Sequence, residues 1–455
     1  MGNTGIAQDA FRPGMPAARA GTLVGHWNLA FLGIIGYVVV EYTRLPAMYP
    51  VLQVLQLGKV VTIASLVGLL ISPQVRAKNP PGVRRIDTVL IIFIVACLLS
   101  FAFAYDVAKA WPQMQAALLF CLIYFLIGRI VNNSWRLKGF LFVWLLCNLK
   151  LAQFVIRSYF SYHSMGVSDA ALGRGVGAGS TGFFANSNDF GLAMVIAFPV
   201  GAFLLYAQLK RWQRVALLIY STVCFLSIFF CSSRGAIVGI AMIVLIAFIK
   251  RPKKLAPALM IVFLAVGVGI IMPQGHKDRL RKALDYQTDP DAMSRITFWK
   301  AGLRMFSDHP LTGVGVGNFP VAYEREYAGN DYSLKEWVCH SIYIQSLSEL
   351  GLSGTVPFLI LVGLLFYLNS QTRRQLLANS PNALRSLEYW LATGLDFALV
   401  GYLSSGAFLA VLFYPHLWIL LGLSVGLSRA CARNAMAGEA NNEPSQSRSY
   451  AWQAP

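Results

Sequence analysis

The segment 215–249 reads VALLIYSTVCFLSIFFCSSRGAIVGIAMIVLIAFI, and it decides the class of this fold. Two apolar runs, each close to the length of about 20 residues that crosses a bilayer, flank a short polar junction that contains Arg234. An arginine at such a junction is costly unless an anion or the lipid headgroups receive its charge. The segment therefore predicts two membrane-spanning helices joined at Arg234, which either snorkels to lipid phosphate or binds a phosphate ligand.

The rest of the chain repeats this apolar pattern. Of the 455 residues, 56% are hydrophobic and only 13% are charged, and the mean hydropathy is +0.57. We predict an all-α, polytopic membrane protein with a single transmembrane domain over 1–433 and a disordered cytoplasmic tail over 434–455. About twelve spans are expected, at 25–43, 53–72, 87–105, 113–131, 139–158, 187–207, 214–231, 235–249, 255–272, 353–369, 387–412 and 415–430.

Lysine and arginine are concentrated in every second predicted loop. Because basic residues near span ends stay on the cytoplasmic side, this alternation predicts that both termini are cytoplasmic and that the large polar loop 273–350 is periplasmic. Most of the net charge of +18 lies in the short inner loops, where it would set the topology and contact anionic lipid. Nucleic acid is therefore not expected as a partner.

The 273–350 loop is expected to contain short helices. An amphipathic helix is predicted over 294–306, capped by Ser294, and a second helix is predicted to begin at His340. The alternating glycines at 313–317 resemble a phosphate-cradling loop, but three glycines are a weak signal, so we interpret them as a tight backbone turn. Chemistry is expected in this loop, because the ionisable groups of the chain's outer side are concentrated there.

Several ionisable residues are candidates for function. Arg295 and Arg174 could join Arg234 in neutralising a diphosphate, which needs more than one cation. His340, at the start of a helix, would stay neutral and could act as a general base, or it could simply cap the helix. Lys150, inside a predicted span, is a functional candidate without an assigned role.

The seven cysteines are scattered without metal-ligand spacing, so neither a metal site nor a cofactor is expected. Cys231 and Cys339 are both predicted at the outer membrane face. They could form a disulfide in an oxidising compartment or remain two buried thiols.

Four motifs, taken in order, resemble the bacterial O-antigen ligase and O-antigen polymerase family. They are GFFANSN at 182–188, SSRG at 232–235, the segment from Arg295 to Phe306 with HPLTGVG at 309–315, and HS at 340–341 followed by Gln345, Glu349 and Gly351. The resemblance covers about residues 180–425.

The resemblance implies a metal-independent glycosyltransferase of the bacterial inner membrane whose active site is periplasmic. Such an enzyme takes a glycan from undecaprenyl diphosphate and joins it to a hydroxyl of an acceptor glycan or of lipid A core. By this analogy Arg234 and Arg295 bind the diphosphate, and His340 activates the acceptor. Arg174 stays a diphosphate-binding candidate on the ground of its charge alone. The substrate contacts expected with them are Asn186, Trp299, Tyr343 and Gln345. A single in-line displacement would invert the anomeric carbon.

Other functions stay open at this stage. The sequence does not separate a ligase from a polymerase, because the two differ only in the acceptor. A protein O-oligosaccharyltransferase resembles the same family, but it usually carries a further soluble domain at its C-terminus. A transporter or flippase of lipid-linked sugars would be expected to show two related halves with broken helices, and no such symmetry is found in the sequence.

Overall fold

A computed structural model describes residues 28–43, 49, 51–71, 80–164, 184, 187–231, 233–250, 290–328 and 338–442. Within these ranges the regular structure is helical, which confirms the all-α class. The α-helices are α1 Leu29–Thr43, α2 Val51–Val54, α3 Leu57–Ile71, α4 Pro81–Ala102, α5 Val107–Ile130, α6 Ser134–Ser164, α7 Ser187–Leu204, α8 Arg211–Phe230, α9 Arg234–Lys250, α10 Pro290–Asp308, α11 Phe319–Ala322, α12 Ile342–Asn379, α13 Leu387–Gly406 and α14 Pro415–Asn442. A π-helix at Tyr323–Tyr327 follows α11, and a short 3₁₀ helix at Ala383–Arg385 precedes α13.

Six of the helices described are long and apolar enough to cross a membrane: α4, α5, α6, α7, α8 and α12. The apolar helices α1 and α3 are shorter. Several apolar helices of this kind indicate a multi-pass membrane protein. The predicted span 255–272 lies outside the described residues, so the total of about twelve and the periplasmic position of the 273–350 loop stay predictions.

Helix α7 is the most enclosed of the candidate spans and packs against α6, α8, α9 and α13. Glycines permit these close approaches. A Cβ atom at Gly201 would lie 2.4 Å from the Tyr220 ring of α8, and one at Gly394 of α13 would lie 3.0 Å from the backbone of Val200. Because lipid tails are as apolar as side chains, helices in a membrane associate through such tight packing. Helix α7 thereby fixes the positions of α9 and α13.

Helix α12 is interrupted at Gly351, whose backbone has φ 60° and ψ −159°. A Cβ atom there would lie 2.5 Å from the carbonyl of Leu311, so a larger residue does not fit. A helix break inside a membrane protein is tolerated only if its backbone groups find new partners. The turn at 309–318 provides them through bonds from Leu352 N to Pro310 O (2.8 Å), Ser353 N to Leu311 O (3.1 Å) and Val314 N to Ser348 O (2.8 Å).

The alternating glycines of this turn confirm the predicted backbone function. Gly313, Gly315 and Gly317 have φ of 67°, 108° and 69°, a region that side chains with a Cβ rarely adopt. A Cβ atom at Gly315 would lie 2.5 Å from the Cα of Ala104. The turn is therefore wedged between the loop that precedes α5 and the break in α12.

Candidate functional site

Arg234 is the first residue of α9, and its position is set by small residues on both sides. The hydroxyl of the buried Ser233 accepts a hydrogen bond from Ala236 N (3.3 Å), which caps the helix. A Cβ atom at Gly191 of α7 would lie 2.9 Å from the Cβ atoms of Ser233 and Ala236. Arg234 is half-buried and begins α9 where that helix packs tightly against α7.

Helix α9 also packs closely on α13. Gly235 and Gly239 form a small-xxx-small pair, and a Cβ atom at Gly239 would lie 2.2 Å from the hydroxyl of Ser405. A Cβ atom at Gly235 would lie 3.6 Å from Phe408, in the loop that follows α13. The residue next to Arg234 thus contacts the 407–414 segment, which we call the α13–α14 loop.

Helix α10 reaches the same loop through Trp299. The helix begins at Pro290 rather than at Ser294, because proline is well suited to a first helical position, so Ser294 is not its cap. The indole Nε1 of Trp299 donates to the carbonyl of Cys339 (3.0 Å), and its ring lies 6.2 Å from that of Phe408. Arg295 is half-buried one turn before Trp299 and therefore lies on the same face of α10.

His340 lies just outside α12 rather than at its first helical position. The N-cap is Ser341, whose hydroxyl accepts from Ile344 N (3.5 Å), and the helix itself begins at Ile342. His340 has φ of 50°, an uncommon left-handed conformation for a residue with a side chain, although histidine tolerates it better than most. Its ring lies 6.4 Å from that of Phe298 on α10. Backbone strain of this kind persists only where the neighbouring structure imposes it, which occurs often at functional sites.

The α13–α14 loop is held by residues that were predicted to bind substrate. Gln345 is buried, and its amide binds protein at both ends: Oε1 accepts from Leu412 N (3.2 Å) and Nε2 donates to Glu349 (3.3 Å). The hydroxyl of Tyr343 donates to the carbonyl of Leu403 (3.1 Å) at the end of α13. These hydrogen bonds of Gln345 and Tyr343, like that of Trp299, are made with protein groups, and the predicted contact of the three residues with substrate stays a prediction.

Contacts through Phe408 and Trp299 therefore connect the three segments that carry Arg234, Arg295 and His340. Arg234 lies beside Gly235, which approaches Phe408. Phe408 in turn contacts Trp299, on the helix that carries Arg295. Trp299 also donates to the carbonyl of Cys339, the residue before His340. Sequence reasoning missed the α13–α14 loop, for which no charged motif gave a signal. The small-xxx-small spacing from Gly235 to Gly239 could have indicated the close contact between α9 and α13.

The remaining candidates lie elsewhere or outside the described residues. Arg174 and Asn186 fall in segments that the structure does not describe. Lys150 is exposed on α6, and its Nζ donates to the carbonyl of Thr43 (2.6 Å), the last residue of α1. A cation at a helix C-terminus binds otherwise unsatisfied carbonyls, so this bond from Lys150 caps the end of α1.

Cys231 and Cys339 are both free, buried thiols. The disulfide that the sequence left open is therefore not present in the structure. Burial raises the pKa of the Cys339 thiol well above its usual value, which disfavours the reactive thiolate at neutral pH. Among the described residues, no cluster of three or more His, Cys, Asp or Glu side chains could hold a metal ion.

A polar network secures the outer edge of the glycine turn. The hydroxyl of Tyr105 donates to Glu326 (2.9 Å), which leaves its oxygen to accept from Nε2 of His309 (3.0 Å). The hydroxyl of Tyr327 donates to Asp308 (2.7 Å). Burial, followed by the hydrogen bond to Glu326, raises the pKa of Tyr105. Tyr105 thus links α10 and the π-helix to the loop before α5.

Comparison with known proteins gives one match. Residues 219–359 match the family model described as O-antigen ligase. No curated protein matches the chain. The matched segment contains Arg234, Arg295 and His340, together with the glycine turn. Over this segment, which carries the candidate site, the chain is similar to the O-antigen ligase family.

Proposed function

We propose that the protein transfers a glycan from undecaprenyl diphosphate to an acceptor hydroxyl at the periplasmic membrane face, either as an O-antigen ligase or as a polymerase. The family match supports glycan transfer of this general type. The observation that supports the proposal is the series of contacts from Gly235 through Phe408 and Trp299 to Cys339, which connects the segments that carry Arg234, Arg295 and His340. The apolar helices of the same chain would keep the donor's polyprenyl tail in the bilayer.

In this proposal, Arg234 and Arg295 bind the diphosphate, because a guanidinium stays charged and matches phosphate oxygens with two parallel donors. Neutralising the diphosphate makes it a good leaving group. Preformed charge of this kind stabilises a transition state without the cost of reorganising water. Arg174 is proposed as a third cation, although it lies outside the described residues.

His340 is proposed as the general base that takes the proton of the acceptor hydroxyl. Its position just before α12 places it at the positive end of a helix dipole, which favours the neutral imidazole. The hydroxyl oxygen then attacks the anomeric carbon while the bond to the diphosphate oxygen breaks, and the proton passes to His340. Because one displacement occurs, we propose that the configuration at the anomeric carbon is inverted. We also propose that no metal ion takes part, because the arginines supply the positive charge that the leaving diphosphate needs.

The roles are tested with Arg234→Ala, Arg295→Ala and His340→Ala in purified protein. The donor is a lipid-linked glycan extracted from a strain that lacks the protein, and the measurement is the release of undecaprenyl diphosphate. We expect losses of about 10²- to 10³-fold for each arginine and about 10²- to 10⁴-fold for the histidine. Arg304→Ala is the control, because Arg304 is exposed on the same helix as Arg295. Full activity of His340→Ala would remove its role as base.

The same assay separates the enzyme from a flippase, since only a transferase releases undecaprenyl diphosphate. The glycan profile of a deletion strain then distinguishes the possible acceptors. Lipid A core without polymer indicates a ligase, and single repeat units on the core indicate a polymerase. Loss of glycan from proteins alone would indicate a protein O-oligosaccharyltransferase.

A further inference from the structure

Four arginines converge at the end of the bundle that is remote from the candidate site. They are Arg129 at the end of α5, Arg136 at the start of α6, and Arg429 and Arg433 on α14. Helix α14 begins beside the α13–α14 loop, and Arg433 follows 18 residues after Pro415, or about 27 Å along the axis. This length is close to the hydrocarbon thickness of about 30 Å, so these arginines, which we call the arginine group, lie near the opposite membrane face.

Three members of the arginine group bind the segment 128–132, which comprises the end of α5 and the start of the turn to α6. Their hydrogen bonds run from Arg429 Nη1 to Gly128 O (2.5 Å), from Arg433 Nη1 to Asn132 Oδ1 (3.1 Å) and from Arg136 Nη1 to Ile130 O (3.3 Å). Arg129 lies within electrostatic range of Arg429, and Arg136 within range of Arg433. The group therefore consists of two pairs of like charge, arranged around the same turn.

Two carboxylates adjoin this group. Asp87 lies 3.9 Å from Nη2 of Arg429 and also accepts from the hydroxyl of Tyr124 (2.6 Å), while Glu388 accepts from Ser134 (3.4 Å). Four guanidinium groups thus meet two carboxylates in this part of the described chain. Like charges that share a partly buried region repel one another, and an added anion relieves that repulsion.

Phosphate is the anion that this geometry fits best, because the guanidinium fork matches two phosphate oxygens. Arg429 and Arg433 are four residues apart, so they lie on one face of α14 with about 6 Å between them along the axis. Arg129 of the first pair and both members of the second pair are partly exposed, so two neighbouring phosphates could each meet one pair. Basic pockets between helices at the cytoplasmic face bind lipid headgroups of this kind.

We propose that the arginine group binds the headgroup of an anionic phospholipid that carries two phosphates. The contacts come from α5, α6 and α14, so a bound headgroup would hold these three helices together. The proposal does not depend on glycan transfer, and its test measures binding alone.

The test uses the full-length protein in detergent, with cardiolipin as the probe and native mass spectrometry to measure binding. The variant is Arg136→Gln with Arg433→Gln, which leaves the buried Arg429 and its contact with Asp87 intact. Each basic side chain near anionic lipid contributes about fivefold in affinity, so we expect about 25-fold weaker binding. The control is Arg211→Gln with Arg214→Gln, which removes the same charge from exposed positions at the start of α8 and should leave the affinity unchanged.

Two results would overturn the proposal. If both double variants bind cardiolipin equally weakly, the affinity depends only on the net charge of the protein. Sodium pyrophosphate that binds as tightly as cardiolipin would mean that the ligand is a free diphosphate and not a lipid. Thermal melting of each variant without lipid checks the fold; if the double variant is unfolded, Arg433→Gln alone is used, with about fivefold weaker binding expected.

Discussion

Trp299→Phe tests whether the histidine segment must be held in place for transfer to occur. The substitution keeps an aromatic ring against Phe408 but removes the indole N–H that binds the carbonyl of Cys339 at 3.0 Å. Cys339 is 1% exposed, so its carbonyl would lose a partner that water does not readily replace. The adjacent His340, with its left-handed backbone, would then be less well fixed.

The expected magnitude follows from this single bond. Leaving a buried acceptor without its donor costs about 1 to 3 kcal/mol. If the hydrogen bond from Trp299 holds His340 in its reactive position, losing the bond raises the activation free energy of transfer. An increase of about 1.4 kcal/mol slows the reaction tenfold. We therefore expect kcat to fall roughly 5- to 150-fold. KM for the donor should change little, because the arginines proposed to bind the diphosphate are unaltered.

The assay measures undecaprenyl diphosphate release, together with the rate at which diethyl pyrocarbonate modifies His340. The chain offers a matched control in Trp390→Phe, which removes an equivalent bond from Trp390 Nε1 to Leu384 O (2.8 Å) at the far end of α13. We expect slower transfer and faster modification of His340 only in Trp299→Phe. The reasoning is refuted if kcat stays within about twofold of wild type, or if both variants lose activity equally.

Four further results are expected. Gly239→Ala should lower the free energy of unfolding, measured by chemical denaturation, by about 1 to 3 kcal/mol. In the same measurement Gly363→Ala, whose added methyl group would enter open space, should raise it by up to about 1 kcal/mol. Gly351→Ala should lower the melting temperature, because it adds about 1 to 3 kcal/mol of backbone strain and a contact with the Leu311 carbonyl. Asp396→Ala should lower the free energy of unfolding by about 3 to 5 kcal/mol in a denaturant titration, because it removes the carboxylate that lies 2.7 Å from Nη1 of Arg373. The double variant Asp396→Leu with Arg373→Met should recover most of that loss. Transfer should continue at an unchanged rate in EDTA, since the proposed chemistry needs only arginine and histidine, and inhibition that added Mg²⁺ or Mn²⁺ reverses would contradict it.

Much of the fold could be predicted from the sequence because it depends on local patterns. Apolar runs of membrane-crossing length predict helices, and apart from 255–272, which is outside the described residues, each predicted span overlaps a helix. The glycines at 313, 315 and 317 predicted a backbone turn, because glycine lacks a Cβ atom and adopts positive φ readily. The predicted helix starts were less accurate: α10 begins at Pro290 and not at Ser294, and α12 begins at Ile342 and not at His340. Several neighbouring residues can each cap a helix, so the sequence locates a helix end only to within a few residues.

The sequence by itself determined an apolar helical membrane chain, the motifs that resemble the O-antigen ligase family, and the residue types suited to bind a diphosphate and take a proton. Only the tertiary structure decided that Phe408 connects the segments of Arg234, Arg295 and His340, and that Gln345 holds the loop carrying Phe408. It also decided that Trp299 binds Cys339 and that Lys150 caps α1. The physical reason is that hydropathy and backbone preference are local properties of the chain, whereas each of these contacts joins residues far apart in sequence through close packing of glycine-rich helices.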